Sequence, residues 1–81
     1  MNVRAVTENS VDTPDNALEI AIGAEVRGFR RRLNLTLTDM SQLTGLSGAM
    51  LSKIENGQTS ASLSTLKTLA RAFDVPIKVL F

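Results

Sequence analysis

The side chains best suited to chemistry lie in residues 45–57, GLSGAMLSKIENG, a stretch that begins and ends with glycine. Ser47 and Ser52 supply hydroxyl groups, and Lys53 supplies an ammonium group. These groups donate hydrogen bonds, and the hydroxyls also accept them, so the stretch can bind a polar or anionic surface. The pattern predicts a short helix here whose first turn carries almost no side chains.

Catalysis and metal binding find no support in the composition. The chain has no histidine and no cysteine, which removes the commonest general acid–base residue, thiol chemistry, disulfides and the usual zinc ligands. The sequence also shows no nucleophile–base pairing, no glycine-rich phosphate loop and no set of metal ligands. We therefore expect a protein that is not an enzyme and that has no cofactor and no bound metal.

Length and hydropathy indicate one small domain of 81 residues. No apolar run is long enough to span a membrane, and the N-terminus has no signal-peptide pattern. These features predict a cytoplasmic protein. The charge is uneven: residues 1–19 carry a net charge of −3, and residues 20–81 carry a net charge of +4. A basic domain favours a polyanionic partner, although a charge of this size is weak support by itself.

The elements that must position these groups are all predicted to be helical. Residues 1–13 are polar and aperiodic and are predicted to be a disordered acidic leader, followed by a domain over residues 14–81. Thr13 and Pro14 suit the start of a first helix that ends near Asn34. Its apolar stripe consists of Leu18, Ile22, Val26, Phe29 and Leu33.

Two short helices come next. Thr36 and Asp39 resemble a capping box at the start of the second helix, which Gly45 ends. The inward side chain near its end is either Leu43 or Thr44. Ser47 is predicted to cap the third helix.

Asn56-Gly57 stops the third helix, and Ser62 is predicted to cap a fourth. The inner face of the fourth helix is expected to be formed by Leu63, Leu66, Leu69 or Ala70, and Phe73. Pro76 begins a last short helix, so the prediction is a compact bundle of five α-helices. The second and third helices are separated by a turn that contains Gly45, which is typical of a helix-turn-helix over about residues 37–56.

This run resembles the Cro/repressor (XRE) family of helix-turn-helix domains, which have the lambda-repressor-like fold. The likeness rests on the small residue Ser41, the turn glycine Gly45, the cap Ser47 and the ending SKIENG at residues 52–57. It extends over about residues 20–81 and is similar to the N-terminal domain of bacterial regulators that continue into a cupin domain. The resemblance implies a DNA-binding transcription regulator, a repressor, that binds operator DNA as a homodimer in the bacterial nucleoid.

In that family the outward positions at the start of the third helix, about residues 47–56, enter the major groove. The positions with this implied role are Ser47, Gly48, Ala49, Ser52 and Lys53. Lys53 can donate to guanine O6 and N7, and Ala49 can contact a thymine methyl group. Because Gly48 and Ala49 form no side-chain hydrogen bond, we expect few direct base contacts and a contribution from DNA shape.

The resemblance also implies phosphate contacts on both flanks of the groove. The residues with this implied role are Thr36, Leu37, Thr38 and Gln42 on one flank, and Asn56, Gln58, Thr59 and Ser60 on the other. Such contacts position a protein on DNA without specifying sequence. Arg30 is expected to form a structural salt bridge with Glu55. For Arg31 and Arg32, a solvated helix end and phosphate contact remain equally open.

One alternative keeps the fold without the DNA contacts. A smooth helix face at Gly48 and Ala49 also suits a protein-interaction or antitoxin-like module. At the C-terminus, Ile77 and Leu80 are predicted to pack in the core. Val79 and Phe81 are candidates for a dimer contact or for a junction with a missing C-terminal sensory domain.

Overall fold

A computed structural model describes residues 16–81, which form four α-helices followed by one turn of 3-10 helix. The α-helices are α1 (Ala17–Arg32), α2 (Leu37–Thr44), α3 (Gly48–Glu55) and α4 (Leu63–Phe73), and the 3-10 helix is Ile77–Leu80. The described residues are therefore all-α, as predicted, but the count of five α-helices is not confirmed. The last segment forms only a single tight turn after Pro76. The predicted leader, residues 1–13, and the predicted helix start at Thr13 and Pro14 lie outside the described residues.

Local sequence signals fix the helix ends. Thr36, Ser47 and Ser62 each accept a hydrogen bond from the backbone N–H three residues later, which satisfies a free donor at a helix start. Gly45 and Asn34 adopt left-handed backbone conformations, with φ of 76° and 57°, directly after α2 and near the end of α1. The predicted boundaries of α2 and α3 therefore agree with the structure to within a residue.

The core lies where the four helices and the 3-10 turn meet. It consists of Val26, Met40, Leu51, Ile54, Leu66, Leu69, Ala70, Phe73 and Leu80. The rings of Phe29 and Phe73 stack with centroids 5.5 Å apart, and Arg32 lies 4.5 Å above the centre of the Phe29 ring. Complete burial of a side chain such as Leu51 stabilises the fold by about 1.5–3 kcal/mol.

Leucines at the helix ends depart from the predicted apolar faces. Leu18, Leu33 and Leu63 are 61%, 48% and 58% exposed, and each lies at or next to an end of its helix. In α2 the inward position belongs to Thr44, whereas Leu43 is exposed. No helix within residues 16–81 is long and apolar enough to cross a membrane.

Candidate nucleic-acid interface

The turn between α2 and α3 is held by side chains as well as by backbone. Gly45 donates its N–H to the Ser41 carbonyl at 2.8 Å. The Ser41 hydroxyl donates to the Leu46 carbonyl at 2.6 Å, and the Leu46 N–H donates to Thr44 Oγ1 at 3.1 Å. These bonds fix the angle at which α3 leaves α2, so the small residue at position 41 acts through its hydroxyl as well as through its size.

The outward side of α3 carries the residues that the sequence singles out for base contact. Ala49 and Lys53 are exposed, and Ser52 is half-buried. A side chain at Gly48 would meet open space, since no atom lies within 4 Å of a Cβ built there. Ser47 accepts the Met50 N–H at 3.1 Å, which leaves its hydroxyl hydrogen free to donate. The structure thus gathers these positions on the first turns and one side of a single helix.

The start of α2 forms a complete capping box. The Asp39 N–H donates to Thr36 Oγ1 at 3.0 Å, and the Thr36 N–H donates to Asp39 Oδ2 at 2.9 Å. Thr38 and Gln42 are exposed on this helix, and Leu37 is half-buried against the core. The first N–H groups of an α-helix have no partner within the helix, so this end of α2 can bind an anion.

The capping box makes a stability prediction. We expect Thr36→Ala to lower the free energy of unfolding by about 1 kcal/mol at neutral pH, because the N-cap bond to Asp39 is lost. Thr38→Ala, an exposed change two residues later, is the control and should stay within about 0.5 kcal/mol of the parent. Urea unfolding followed by circular dichroism measures both, and equal values for the two variants would contradict this role of the cap.

The same capping box makes the stability of the domain depend on pH, and the direction of that dependence follows from Asp39. Hydrogen bonds from the backbone N–H and side chain of Thr36 hold the pKa of Asp39 below its ordinary value. A carboxyl group whose pKa is lower in the folded state stabilises the fold above its unfolded pKa of about 3.9. That stabilisation is lost as the pH falls through the folded pKa. The difference in the free energy of unfolding between the parent and Thr36→Ala should therefore become smaller in acid.

The loop after α3 contains the second set of predicted phosphate contacts. Gln58 is exposed, and Thr59 is half-buried. Two others have hydrogen-bond partners inside the domain: Ser60 donates to Glu19 Oε2 at 2.9 Å, and Asn56 uses both atoms of its side-chain amide. The Ser60 hydroxyl therefore faces a carboxylate, which would repel a phosphate.

A buried carboxylate joins α1 to the end of α3. The Glu55 side chain is 2% exposed, and it accepts from Arg30 through two bonds, Nε to Oε2 at 2.7 Å and Nη2 to Oε1 at 3.1 Å. Arg30 also donates to the Leu35 carbonyl at 2.8 Å, and its hydrogen bond to Glu55 raises its pKa. Arg27 adds a longer contact, Nε to Glu55 Oε1 at 3.4 Å.

The same two helices touch through their backbones at Gly23. A Cβ built at Gly23 would lie 2.2 Å from the Ile54 carbonyl oxygen and 2.7 Å from that of Glu55. Only glycine permits this approach, so the C-terminal end of α3 is held directly against α1. Asn16 adds a bond from its Nδ2 to the Gly57 carbonyl at 2.9 Å.

This arrangement has matches among known proteins. A family model described as helix-turn-helix, HTH_3, matches residues 26–80, from the middle of α1 to the end of the 3-10 turn. The chain belongs to the HTH_3 family. The resemblance to Cro/repressor (XRE) helix-turn-helix domains is thereby confirmed, and the domain has a DNA-binding fold of the transcription-regulator type. The likeness to regulators that continue into a cupin domain stays a prediction.

Individual proteins that this chain resembles agree with this assignment. The uncharacterized HTH-type transcriptional regulator RghRB of Bacillus subtilis (strain 168) is 38% identical over 55 residues, which is 67% of this chain and 40% of that protein. An HTH_3 family transcriptional regulator from Vibrio cholerae is 31% identical with a TM-score of 0.78, over 84% of this chain and 38% of that one. The restriction-modification controller protein C.AhdI from Aeromonas hydrophila is 28% identical with a TM-score of 0.75, over 78% and 96% of the two chains. This chain thus spans less than half the length of the first two.

Two residues of the HTH_3 domain that contact the end of α3 were not predicted from the sequence. Gly23 and Arg27 lie four residues apart on α1, beside the apolar positions 22 and 26, and both contact the end of α3. A glycine within a helix, followed by arginines at positions 27 and 30, was the available signal, since these spacings place all three on one helix face. Their partners lie more than 25 residues away, and no local pattern identifies them.

Proposed function

We propose that this HTH_3 domain is a sequence-specific regulator of transcription that places α3 in the major groove of double-stranded DNA. The observation that carries the proposal is the outward side of α3, where Ser52 and Lys53 follow a bare first turn on a helix held by backbone contact and a buried ion pair. An α-helix fits the major groove, and its N-terminal residues reach base edges.

Base contacts are assigned to Ser47, Gly48, Ala49, Ser52 and Lys53. Lys53 donates to guanine, the serine hydroxyls contact polar base edges, and Ala49 packs against a thymine methyl group. Gly48 permits the backbone to approach a base pair closely, because it adds no atoms between helix and groove.

Phosphate contacts are assigned to both ends of the motif. At the start of α2 they involve the backbone N–H groups of Leu37 and Thr38 and the side chains of Thr36, Thr38 and Gln42. After α3 they involve Gln58 and Thr59, with Asn56 and Ser60 acting mainly through bonds within the domain. These contacts set register and orientation on the duplex.

We also propose a two-fold dimer on DNA, with two copies of α3 in successive major grooves about 34 Å apart. Phe81 is 62% exposed beside the half-buried Val79, which leaves apolar surface for a second copy. Repression is the favoured outcome, since it needs only occupancy of promoter DNA, and such a regulator acts in the bacterial cytoplasm on the nucleoid.

Selection from a random pool of duplexes tests the proposal. The chain should enrich a two-fold symmetric sequence, and its affinity should fall steeply with salt as phosphate-bound counterions are released. Mass measured in solution with and without the selected duplex reports the dimer. A chain that enriches no sequence and whose binding is indifferent to salt would refute the assignment.

Two substitutions separate base contacts from phosphate contacts. Lys53→Ala is expected to relax the preference at one operator position by about 1–3 kcal/mol. Gln58→Ala should weaken binding to all sequences by a similar factor, because a phosphate contact carries no sequence information. Affinities for a panel of single-base operator variants measure both effects. Identical profiles for the two variants would contradict the assignment of Lys53.

A second candidate is a protein-interaction or antitoxin-like module, which the smooth surface of Gly48 and Ala49 also suits. Substitution of both residues by glutamine distinguishes the two candidates. If α3 lies in the major groove, the long side chains should change the base preference, whereas the affinity that comes from phosphate contacts should persist. Loss of a protein partner without any change in DNA binding would favour the module.

A further inference from the structure

A chain of hydrogen bonds runs from α1 to the outward side of α3. Arg27 Nη2 donates to Asn56 Oδ1 at 2.7 Å. Asn56 Nδ2 donates to the Ser52 carbonyl at 2.9 Å and to Ser52 Oγ at 3.4 Å. Side chains from α1, from the residue after α3 and from α3 are therefore linked, and the last of them, Ser52, lies among the residues assigned to base contact.

The direction of each of these hydrogen bonds follows from Arg27, where the series begins. A guanidinium group only donates, so the atom of Asn56 that faces Arg27 must be its carbonyl oxygen. The amide nitrogen is then forced to face Ser52. A flipped amide would set donor against donor at Arg27 and acceptor against acceptor at the Ser52 carbonyl.

The bond from Asn56 biases the Ser52 hydroxyl toward donation. Its oxygen accepts from Asn56 at 3.4 Å, so one of its two lone pairs is in use and its hydrogen points in another direction. Two other hydroxyls in this domain turn back to the carbonyl four residues earlier, Thr44 to Met40 at 2.7 Å and Thr68 to Ser64 at 3.0 Å. Ser52 makes no such bond to the Gly48 carbonyl within residues 16–81.

We propose that Arg27, acting through Asn56, biases the Ser52 hydroxyl toward donating to DNA, so that Ser52 favours base edges that accept. This inference rests on the proposed function and deepens it. The accepting groups in the major groove are purine N7, guanine O6 and thymine O4, whereas the amino groups of adenine and cytosine donate. A free serine hydroxyl contacts either kind, and the bond from Asn56 uses one of its two lone pairs, which favours donation to DNA over acceptance.

Arg27 is in this sense a positioning residue. Its side chain is 37% exposed and lies against Glu55 and Asn56 at the C-terminal end of α3. It influences base preference without touching a base. Asn56 is likewise assigned to the orientation of Ser52, because both atoms of its amide are used within the domain.

The test compares variants on single-base panels of the selected operator. Ser52→Ala first identifies the base pair that Ser52 contacts, as the position whose preference is lost. Arg27→Met should reduce the preference at that same position by roughly three- to tenfold, the range of one hydrogen bond. Arg71→Met, which removes an exposed arginine from α4, is the control and should scale all affinities alike.

Asn56→Asp provides a second test. A carboxylate keeps the bond from Arg27 but has no N–H to donate to Ser52, and the Ser52 carbonyl repels its second oxygen. The Ser52 hydroxyl is then released from residue 56, so the preference for accepting bases at the Ser52 position should fall, as it does in Arg27→Met. Thermal melts followed by circular dichroism establish that each variant is folded at the temperature of the binding assay.

The outcomes are distinct. A parent that enriches no sequence overturns the proposed function and this inference with it. A parent that binds selectively while Arg27→Met behaves as Arg71→Met overturns the inference alone. The inference is also overturned if the parent binds selectively but Ser52→Ala removes the base preference at no operator position. It is overturned as well if Arg27→Met still changes the base preference of a chain that already carries Ser52→Ala. A reduced preference at the Ser52 position in both Arg27→Met and Asn56→Asp supports it.

Discussion

Replacing Glu55 with alanine is expected to lower the free energy of unfolding by about 3–5 kcal/mol, since it leaves a partly buried arginine without its charged partner. The Arg30 side chain is 13% exposed, and it donates twice to the carboxylate that the change removes. For a domain of this size the melting temperature should fall by roughly 12 °C or more. Calorimetry or circular dichroism measures the shift.

Two controls show whether the loss comes from the unpaired charge. Glu25→Ala removes an exposed carboxylate from α1 and should have little effect. Replacement of both Arg30 and Glu55 by methionine should recover much of the lost stability, because a buried ion pair is often no better than apolar packing of similar volume. A Glu55→Ala melt that coincides with that of the parent would refute the prediction.

Gly23→Ala is expected to destabilise the domain by about 3 kcal/mol, even though alanine is the better helix former. The added methyl group would lie 2.2 Å from the Ile54 carbonyl oxygen, and backbone cannot move aside as a flexible side chain can. The helices α1 and α3 must therefore separate, which also stretches the Arg30–Glu55 pair. Denaturant unfolding measures the stability, and operator affinity reports the displacement of α3.

The same helix offers a matched control. A Cβ at Gly28 would have Arg32 Nη1 as its nearest neighbour, at 3.2 Å, and the end of a long side chain can shift. Gly28→Ala should therefore stabilise the domain by up to about 1 kcal/mol through helix propensity alone. If the two glycine variants have equal stability, the backbone contact at Gly23 does not have the role described.

The parts of the fold that the sequence predicted are those with local causes. The capping box of Thr36 and Asp39, the left-handed turn at Gly45 and the cap at Ser47 each depend on residues a few positions apart. Buried positions in the middle of helices, such as Val26, also follow from periodicity, because any packed helix buries the centre of its apolar stripe.

What the sequence could not predict depends on where helices end relative to one another. Leu18 and Leu63 continue apolar stripes but remain exposed, which the periodicity within one helix does not reveal. The second arginine on Glu55 and the orientation of the Asn56 amide arise from contacts between α1 and α3 that are distant in sequence. The contacts of the assigned residues with DNA stay predictions.

The backbone contact at Gly23 and the shared carboxylate of Glu55 fix the end of α3 with little freedom for adjustment. A recognition element that is preorganised in this way loses little conformational entropy on binding. If the proposed function holds, the duplex is then the partner that must adapt, by bending or by a change in groove width. We therefore expect part of the selectivity to come from the mechanics of DNA, at base pairs that no side chain touches.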